Sequence, residues 1–160
     1  NQGFTPDSLA RLMPSLVAAR VALIEQPFPM GQEAGMDGLG APIEIAADES
    51  VQTLADVAPM AGRAGVINIK LDKSGGLTEA LAMAEAARGL GLKLMVGNMF
   101  GTVLAMAPSF VVGQLCDVVD LDGPMGLTGD RKPGVAHDDG LVWCPPEAWG
   151  DPVAAVAEAR

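Results

Sequence analysis

The chain has 160 residues, with 10 Lys+Arg against 20 Asp+Glu for a net charge of −10, 49% hydrophobic residues and 4% aromatic ones. That length suits one domain of roughly 100–200 residues with a sizeable core. The charge and the scattered four Lys and six Arg exclude a nucleic-acid binder, which needs clustered cations and aromatic stacking platforms.

In chain order, Asn1-Gln2-Gly3-Phe4 lacks a basic n-region, so no signal peptide is expected. Thr5-Pro6-Asp7-Ser8 starts a helix, with Leu9, Leu12, Leu16 and Val17 following at helical spacing. Val21 to Ile24 is a strand ending at Glu25, and Gly31 to Gly40 is a flexible loop placed as a pocket rim. Ile43 to Ala47 is a strand ending at Asp48. Thr53 caps a short helix through Met60, limited by Pro59. Val66 to Ile69 is a strand ending at Lys70. Gly75-Gly76 then leads into an Ala-rich helix from Leu77 to Leu90, with Gly89 and Gly91 as stops.

Leu92 to Val96 is a strand running into Gly97-Asn98, and Met106, Phe110 and Val111 lie on a helix bent by Pro108. The uncharged stretch from Leu94 to Cys116 is long enough to span a bilayer, but its Gly, Asn, Pro and Gln residues fit a strand followed by a buried helix. No membrane association is expected. Cys116 to Val119 is a strand ending at Asp120. His137 lies in a turn-rich stretch and is read as a surface residue, and Gly129 to Gly134 as a solvated loop. Trp143 and Trp149 flank Pro145-Pro146 and are expected to pack the closing segment onto the rest, with a last helix over Pro152 to Glu158. Cys116 and Cys144 are too few for a disulfide framework and lack metal-ligand spacing, so they are read as reduced thiols of a cytoplasmic protein. The Met-rich content is read as core filling.

Strands alternating with helices define an α/β fold with a parallel sheet. The strand end points Glu25, Asp48, Lys70, Asn98 and Asp120 lie 23, 22, 28 and 22 residues apart. No G-x-G-x-x-G or P-loop pattern marks a nucleotide-binding doubly wound sheet, whereas polar residues end successive strands, where barrel enzymes place their chemistry. The expected architecture is part of a (β/α)8 barrel. A whole barrel needs about 250 residues, so five strands constitute its later portion.

Neighbouring barrel strands lie about 4.8 Å apart, so Glu25, Asp48 and Lys70 can converge. Two carboxylates suit a hard cation such as Mg²⁺. A lysine beside them can serve as a Schiff-base nucleophile or as a general base. Asp120-Leu121-Asp122 can point both carboxylates one way on an extended segment, suiting an ammonium group or a second cation. A solvated loop remains an alternative for that pair.

Ile24-Glu25-Gln26-Pro27, Ala47-Asp48-Glu49-Ser50, Asn68-Ile69-Lys70-Leu71-Asp72-Lys73-Ser74-Gly75-Gly76 and Asp120-Leu121-Asp122-Gly123-Pro124 occur in order at barrel spacing. As a set they resemble the enolase superfamily in its muconate-lactonising (mandelate racemase) subgroup, most of all the dipeptide epimerases, including the L-Ala-D/L-Glu type. Asn1-Gln2-Gly3-Phe4 looks like the tail of that family's D-A-N-Q-G segment. The resemblance implies that residues 1–160 are the C-terminal portion of the barrel domain, approximately strands 4 to 8. The N-terminal capping domain and first strands, with a third metal ligand and a second lysine, would precede Asn1.

It implies Glu25 and Asp48 as Mg²⁺ ligands and Lys70 as an acid/base. Lys73 is placed behind the site or facing solvent. Asp120 and Asp122 would hold a substrate α-ammonium, and Asn98 and Met99 would line the substrate pocket. The implied reaction moves the α-proton of a dipeptide or N-acyl amino acid through an enediolate, making the full-length protein an isomerase acting on a small molecule. These 160 residues alone are expected to be inactive. An o-succinylbenzoate synthase, a muconate-type cycloisomerase and a non-catalytic truncated barrel stay open as alternatives, as does a homo-oligomer of the full-length form.

Overall fold

The computed structural model describes residues 1–130 and 132–149. The first helix, α1 (Pro6–Ala18), opens on a reciprocal cap: Ser8 N donates to Thr5 Oγ1 at 3.2 Å, and Thr5 N donates to Ser8 Oγ at 2.8 Å. Its inward stripe is Leu9, Met13 and Leu16, one step round from the expected face, and Leu12 and Val17 turn outward.

Five strands follow: β1 (Leu23–Glu25), β2 (Glu44–Ala47), β3 (Val66–Lys70), β4 (Lys93–Gly97) and β5 (Val118–Val119). They form one parallel sheet in sequence order. This is a five-stranded half-barrel, as the strand spacing predicts. Most of β2 to β4 is buried, which is why the strands read as continuous apolar runs rather than alternating ones.

The two faces of the sheet differ. Ile24, Ile45, Ala47, Ile67, Ile69, Leu94 and Val96 join the main core on the helical side. Ala46, Val66 and Met95, with Leu23 and Val118, form a smaller cluster of the opposite parity. Strand alternation puts Glu25, Asn68, Lys70 and Gly97 on that second face, beyond the small cluster and at the carboxyl ends of the strands.

The connections carry α2 (Leu54–Val57), α3 (Leu71–Ser74), α4 (Leu77–Gly89), α5 (Val103–Met106) and α6 (Ser109–Gly113). The helix expected from Thr53 to Met60 is α2 plus a 3-10 turn, Ala58–Met60, which accommodates Pro59. Gly89 lies inside α4 instead of stopping it. The stop falls at Leu90 and Gly91, where Gly91 takes a left-handed φ of 74°. Pro108 breaks the expected bent helix into α5 and α6. The uncharged stretch is thus a strand and two short helices, and no helix among the described residues is long and apolar enough to cross a membrane.

Three further expectations are refined or corrected. The loop from Gly31 to Gly40 is tied down: Ser50 Oγ donates to Glu33 Oε1 at 2.6 Å, and Met36 is buried in the core. The stretch around His137 is an antiparallel hairpin, β6 (Ala136–Asp138) and β7 (Leu141–Trp143), turned by Asp139-Gly140 with φ of 46° and 74°. Asp-Gly is the strongest short hairpin signal because both turn residues need positive φ. His137 is exposed, as expected, with Nε2 3.1 Å from Leu121 O. Trp143 does not pack inward. It is 61% exposed, since alternation along β7 turns it outward with Leu141. The Trp149 side chain and the helix expected over Pro152 to Glu158 lie outside the described residues.

Candidate active site

Three adjacent strand ends deliver the central groups. Glu25 is the last residue of β1, Asp48 follows β2, and Lys70 ends β3. Lys70 Nζ lies 2.7 Å from Asp48 Oδ2 and 3.9 Å from Glu25 Oε1. With Asn1, Glu49 and Met99, these residues line one cavity of about 330 Å³. Asn1 Nδ2 donates to Glu49 Oε1 at 2.6 Å, while Glu49 Oε2 is buried without a partner.

Electrostatics follow from this crowding. Burial raises the Glu25 carboxyl above its ordinary range, and its hydrogen bond with Asp48 raises it further. Burial also pushes Asp48 upward, but hydrogen bonds from Lys70 and Lys73 outweigh it and hold that carboxyl low. For Lys70, burial pulls the ammonium down and Asp48 more than restores it, so Lys70 stays protonated in this pairing.

Three further residues complete the site: Lys73, for which the sequence left open a place behind the site or in solvent, and Asn68 and Gln26, to which sequence reasoning gave no role. Lys73 does not face solvent: α3, a single turn closed by Gly75 at φ 79°, brings it back onto Asp48, where its side chain is 8% exposed. Nζ donates to Asp48 Oδ1, to Asp48 O at 2.6 Å and to Asn68 O at 3.1 Å. Asn68, fully buried, donates through Nδ2 to Glu25 Oε1 at 2.6 Å, and its Oδ1 has no partner. Gln26 is buried at φ 36°. Its Oε1 accepts from Asp48 N at 2.9 Å and Ser50 N at 3.2 Å, while Nε2 donates to Ser50 Oγ at 2.8 Å and Phe28 O at 2.9 Å. A signal for Asn68 was present in the sequence, as a polar residue inside an apolar strand at the parity of Lys70. Gln26 carries no comparable signal.

The remaining expected residues divide. Met99 lines the central cavity, and its backbone N donates to Asp72 Oδ2 at 3.2 Å. Asn98 turns aside: Nδ2 donates to Met99 O at 3.0 Å, and its amide packs where any Cβ on Gly123 would sit. Asp120 and Asp122 flank the buried Leu121 and line a neighbouring cavity with His137. Partial burial, then the like charge of Asp122, raises the Asp120 carboxyl, and Lys70 pulls it back. The second acidic pair thus lies within electrostatic reach of the first group.

Oxygen donors from Glu25 and Asp48 converge on one cationic point, here marked by the Lys70 ammonium, and this donor set fits a hard cation such as Mg²⁺. The fit is partial. Among the described residues, no group of three or more His, Cys, Asp or Glu is arranged to hold a metal.

The sequence model of the enolase C-terminal domain-like family matches residues 1–146. The chain belongs to that family. Its relatives include an N-acetyl-D-glutamate racemase from Pseudoalteromonas, 43% identical over 128 residues that cover 80% of this chain and 41% of the relative. Among solved structures, an enolase family member from Agrobacterium tumefaciens with homology to dipeptide epimerases, holding sodium and L-Ala-L-Glu, superposes with a TM-score of 0.88 at 44% identity, covering 94% of this chain and 46% of that one. A dipeptide epimerase from Methylococcus capsulatus complexed with Mg gives a TM-score of 0.82 at 34% identity, covering 89% of this chain and 44% of that one. The chain therefore spans under half the length of these relatives, and the likeness is to the barrel domain of racemases and dipeptide epimerases.

Proposed function

We propose that the whole protein carrying this chain is a Mg²⁺-dependent epimerase or racemase that moves the α-proton of a dipeptide or an N-acyl amino acid. The observation that carries the reading is the convergence of Glu25, Asp48 and Lys70 in one cavity at the carboxyl ends of adjacent strands. Glu25 and Asp48 would be two of the ligands that hold the cation, which when bound would supply positive charge to offset that developing on a substrate carboxylate as its α-proton leaves. Lys70 holds a proton at Nζ and exchanges it with the α-carbon on one face of the substrate. The reading takes a third ligand and the opposing base from residues outside these 160.

Asp120 and Asp122 favour a substrate with a free α-ammonium, as in a dipeptide, over the amine-free substrates of o-succinylbenzoate synthases and muconate cycloisomerases. The racemase relative keeps the N-acyl reading open. Incubating the whole natural polypeptide with Mg²⁺ and L-Ala-L-Glu in D₂O tests both substrate and reaction. Deuterium is expected at the α-carbon of the epimerised residue, and Lys70→Ala is expected to slow its entry about 10²–10⁴-fold. Undiminished exchange on both faces in Lys70→Ala would overturn the role given to Lys70. No exchange with any dipeptide or N-acyl amino acid would favour a non-catalytic barrel.

A further inference from the structure

A lysine ammonium has three protons to donate and no acceptor. Lys73 uses all three on protein oxygens: Asp48 Oδ1, Asp48 O and Asn68 O. It is buried and has no proton left for a substrate, although it sits one helical turn from Lys70. Asp48 is thereby divided. Oδ1 is held by Lys73 from behind, and Oδ2 faces Lys70 and the cavity. Glu25 has a parallel support, since Asn68 Nδ2 holds its Oε1. Asn68 and Lys73 are themselves joined through the Asn68 carbonyl. One continuous run thus links Glu25, Asn68, Lys73 and Asp48, with both supports supplied by β3 and the turn that follows it.

We propose that Lys73 and Asn68 are positioning residues that together aim the carboxylates of Asp48 and Glu25 at a shared cation, so that the end of β3 sets the geometry of ligands borne by two other strands. The proposal rests on the reading of Glu25 and Asp48 as cation ligands. Groups that orient a ligand typically contribute about 10–100-fold to metal affinity, because a freed carboxylate must be ordered again each time the cation binds.

The test measures metal binding directly, in the whole natural polypeptide, by Mg²⁺ titration calorimetry and by the electron paramagnetic resonance spectrum of bound Mn²⁺. Lys73→Met and Asn68→Leu are each expected to raise the Mg²⁺ Kd about 10–100-fold. Each should also broaden the Mn²⁺ signal, while kcat recovers at saturating Mg²⁺. Lys73→Arg, which keeps the donors, is expected to restore most of the affinity. Should Lys73→Met fail to fold, Lys73→Gln and Asn68→Leu carry the same comparison. Variants that lose thermal stability but bind Mg²⁺ as tightly as wild type, with an unchanged Mn²⁺ spectrum, would overturn the proposal. Asp48→Asn separates that failure from a deeper one: if it too binds Mg²⁺ like wild type, the assignment of the cation site itself is wrong.

Discussion

At the scale of single residues, the site is a matter of close approach. Lys70 lies opposite Gly97 in the register of β3 and β4. A Cβ at Gly97 would sit 2.9 Å from Lys70 Cε and 3.1 Å from Asn68 Oδ1, so glycine there leaves room for both side chains. Gly97→Ala is expected to displace the flexible end of Lys70 rather than unfold the sheet, lowering kcat roughly 10–100-fold with little change in Tm. Steady-state kinetics beside thermal denaturation checks this. At the second acidic pair, Asp122→Asn removes a charge-assisted contact worth about 1.5–3 kcal/mol. The KM for a dipeptide should rise roughly 10–150-fold while that for its N-acetyl analogue changes little. An equal effect on both would remove the ammonium role. The strand-end residues Glu25, Asp48 and Lys70 were legible because each ends a β-branched run. The supports behind them were legible only in part: Asn68 stands out as a polar residue in an apolar strand, but the sequence left Lys73 between a place behind the site and one in solvent, because its burial depends on a single turn of α3 that no periodicity announces.

At the scale of elements, α2 shows how much a four-residue helix depends on its cap. Asp56 Oδ2 accepts from Thr53 N at 2.8 Å, Gln52 N at 3.1 Å and Thr53 Oγ1 at 2.9 Å. The backbone N–H of Thr53 is the chief reason its carboxyl lies below the ordinary 3.8. A carboxyl depressed by folding contributes stability that is complete above its unfolded value and lost as pH falls through its folded one. Asp56→Ala should therefore cost about 0.5–1 kcal/mol near neutral pH. The gap from wild type should close below about pH 3.8, as urea unfolding at several pH values would show. Helix α4 is held differently, by Ala80, Met83, Ala84 and Ala87 packed on the sheet. Met83→Ala should cost about 2–5 kcal/mol by the same measurement at neutral pH. Elements with strong local chemistry, such as the Thr5 cap or the Ala-rich run of α4, could be read from sequence. The inward face of α1 could not, because Leu9, Leu12, Leu16 and Val17 are equally apolar and only the tertiary partner selects among them.

At the scale of the molecule, the sheet is open among the described residues: β1 pairs only with β2, and β5 only with β4. Unpaired strand edges template association. Residues 1–160 expressed on their own are expected to form oligomers at micromolar concentration in sedimentation velocity, and Val119→Lys, on the exposed edge strand, should reduce them. The parallel half-barrel itself was legible, since five strand ends at near-constant spacing leave few topologies. The β6–β7 hairpin was hidden by its short strands, although Asp139-Gly140 marks its turn. The strand order has a kinetic consequence. Every strand of the sheet pairs with its neighbour in sequence, between 20 and 27 residues away, so each pairing closes a short loop and the sheet can grow one unit at a time. Glu25, Asp48 and Lys70 belong to three successive units. Their constellation exists only once all three have docked, and a cation captured between the two carboxylates would act as a latch across β1 and β2, slowing their opening in native-state hydrogen exchange while leaving β5 unaffected.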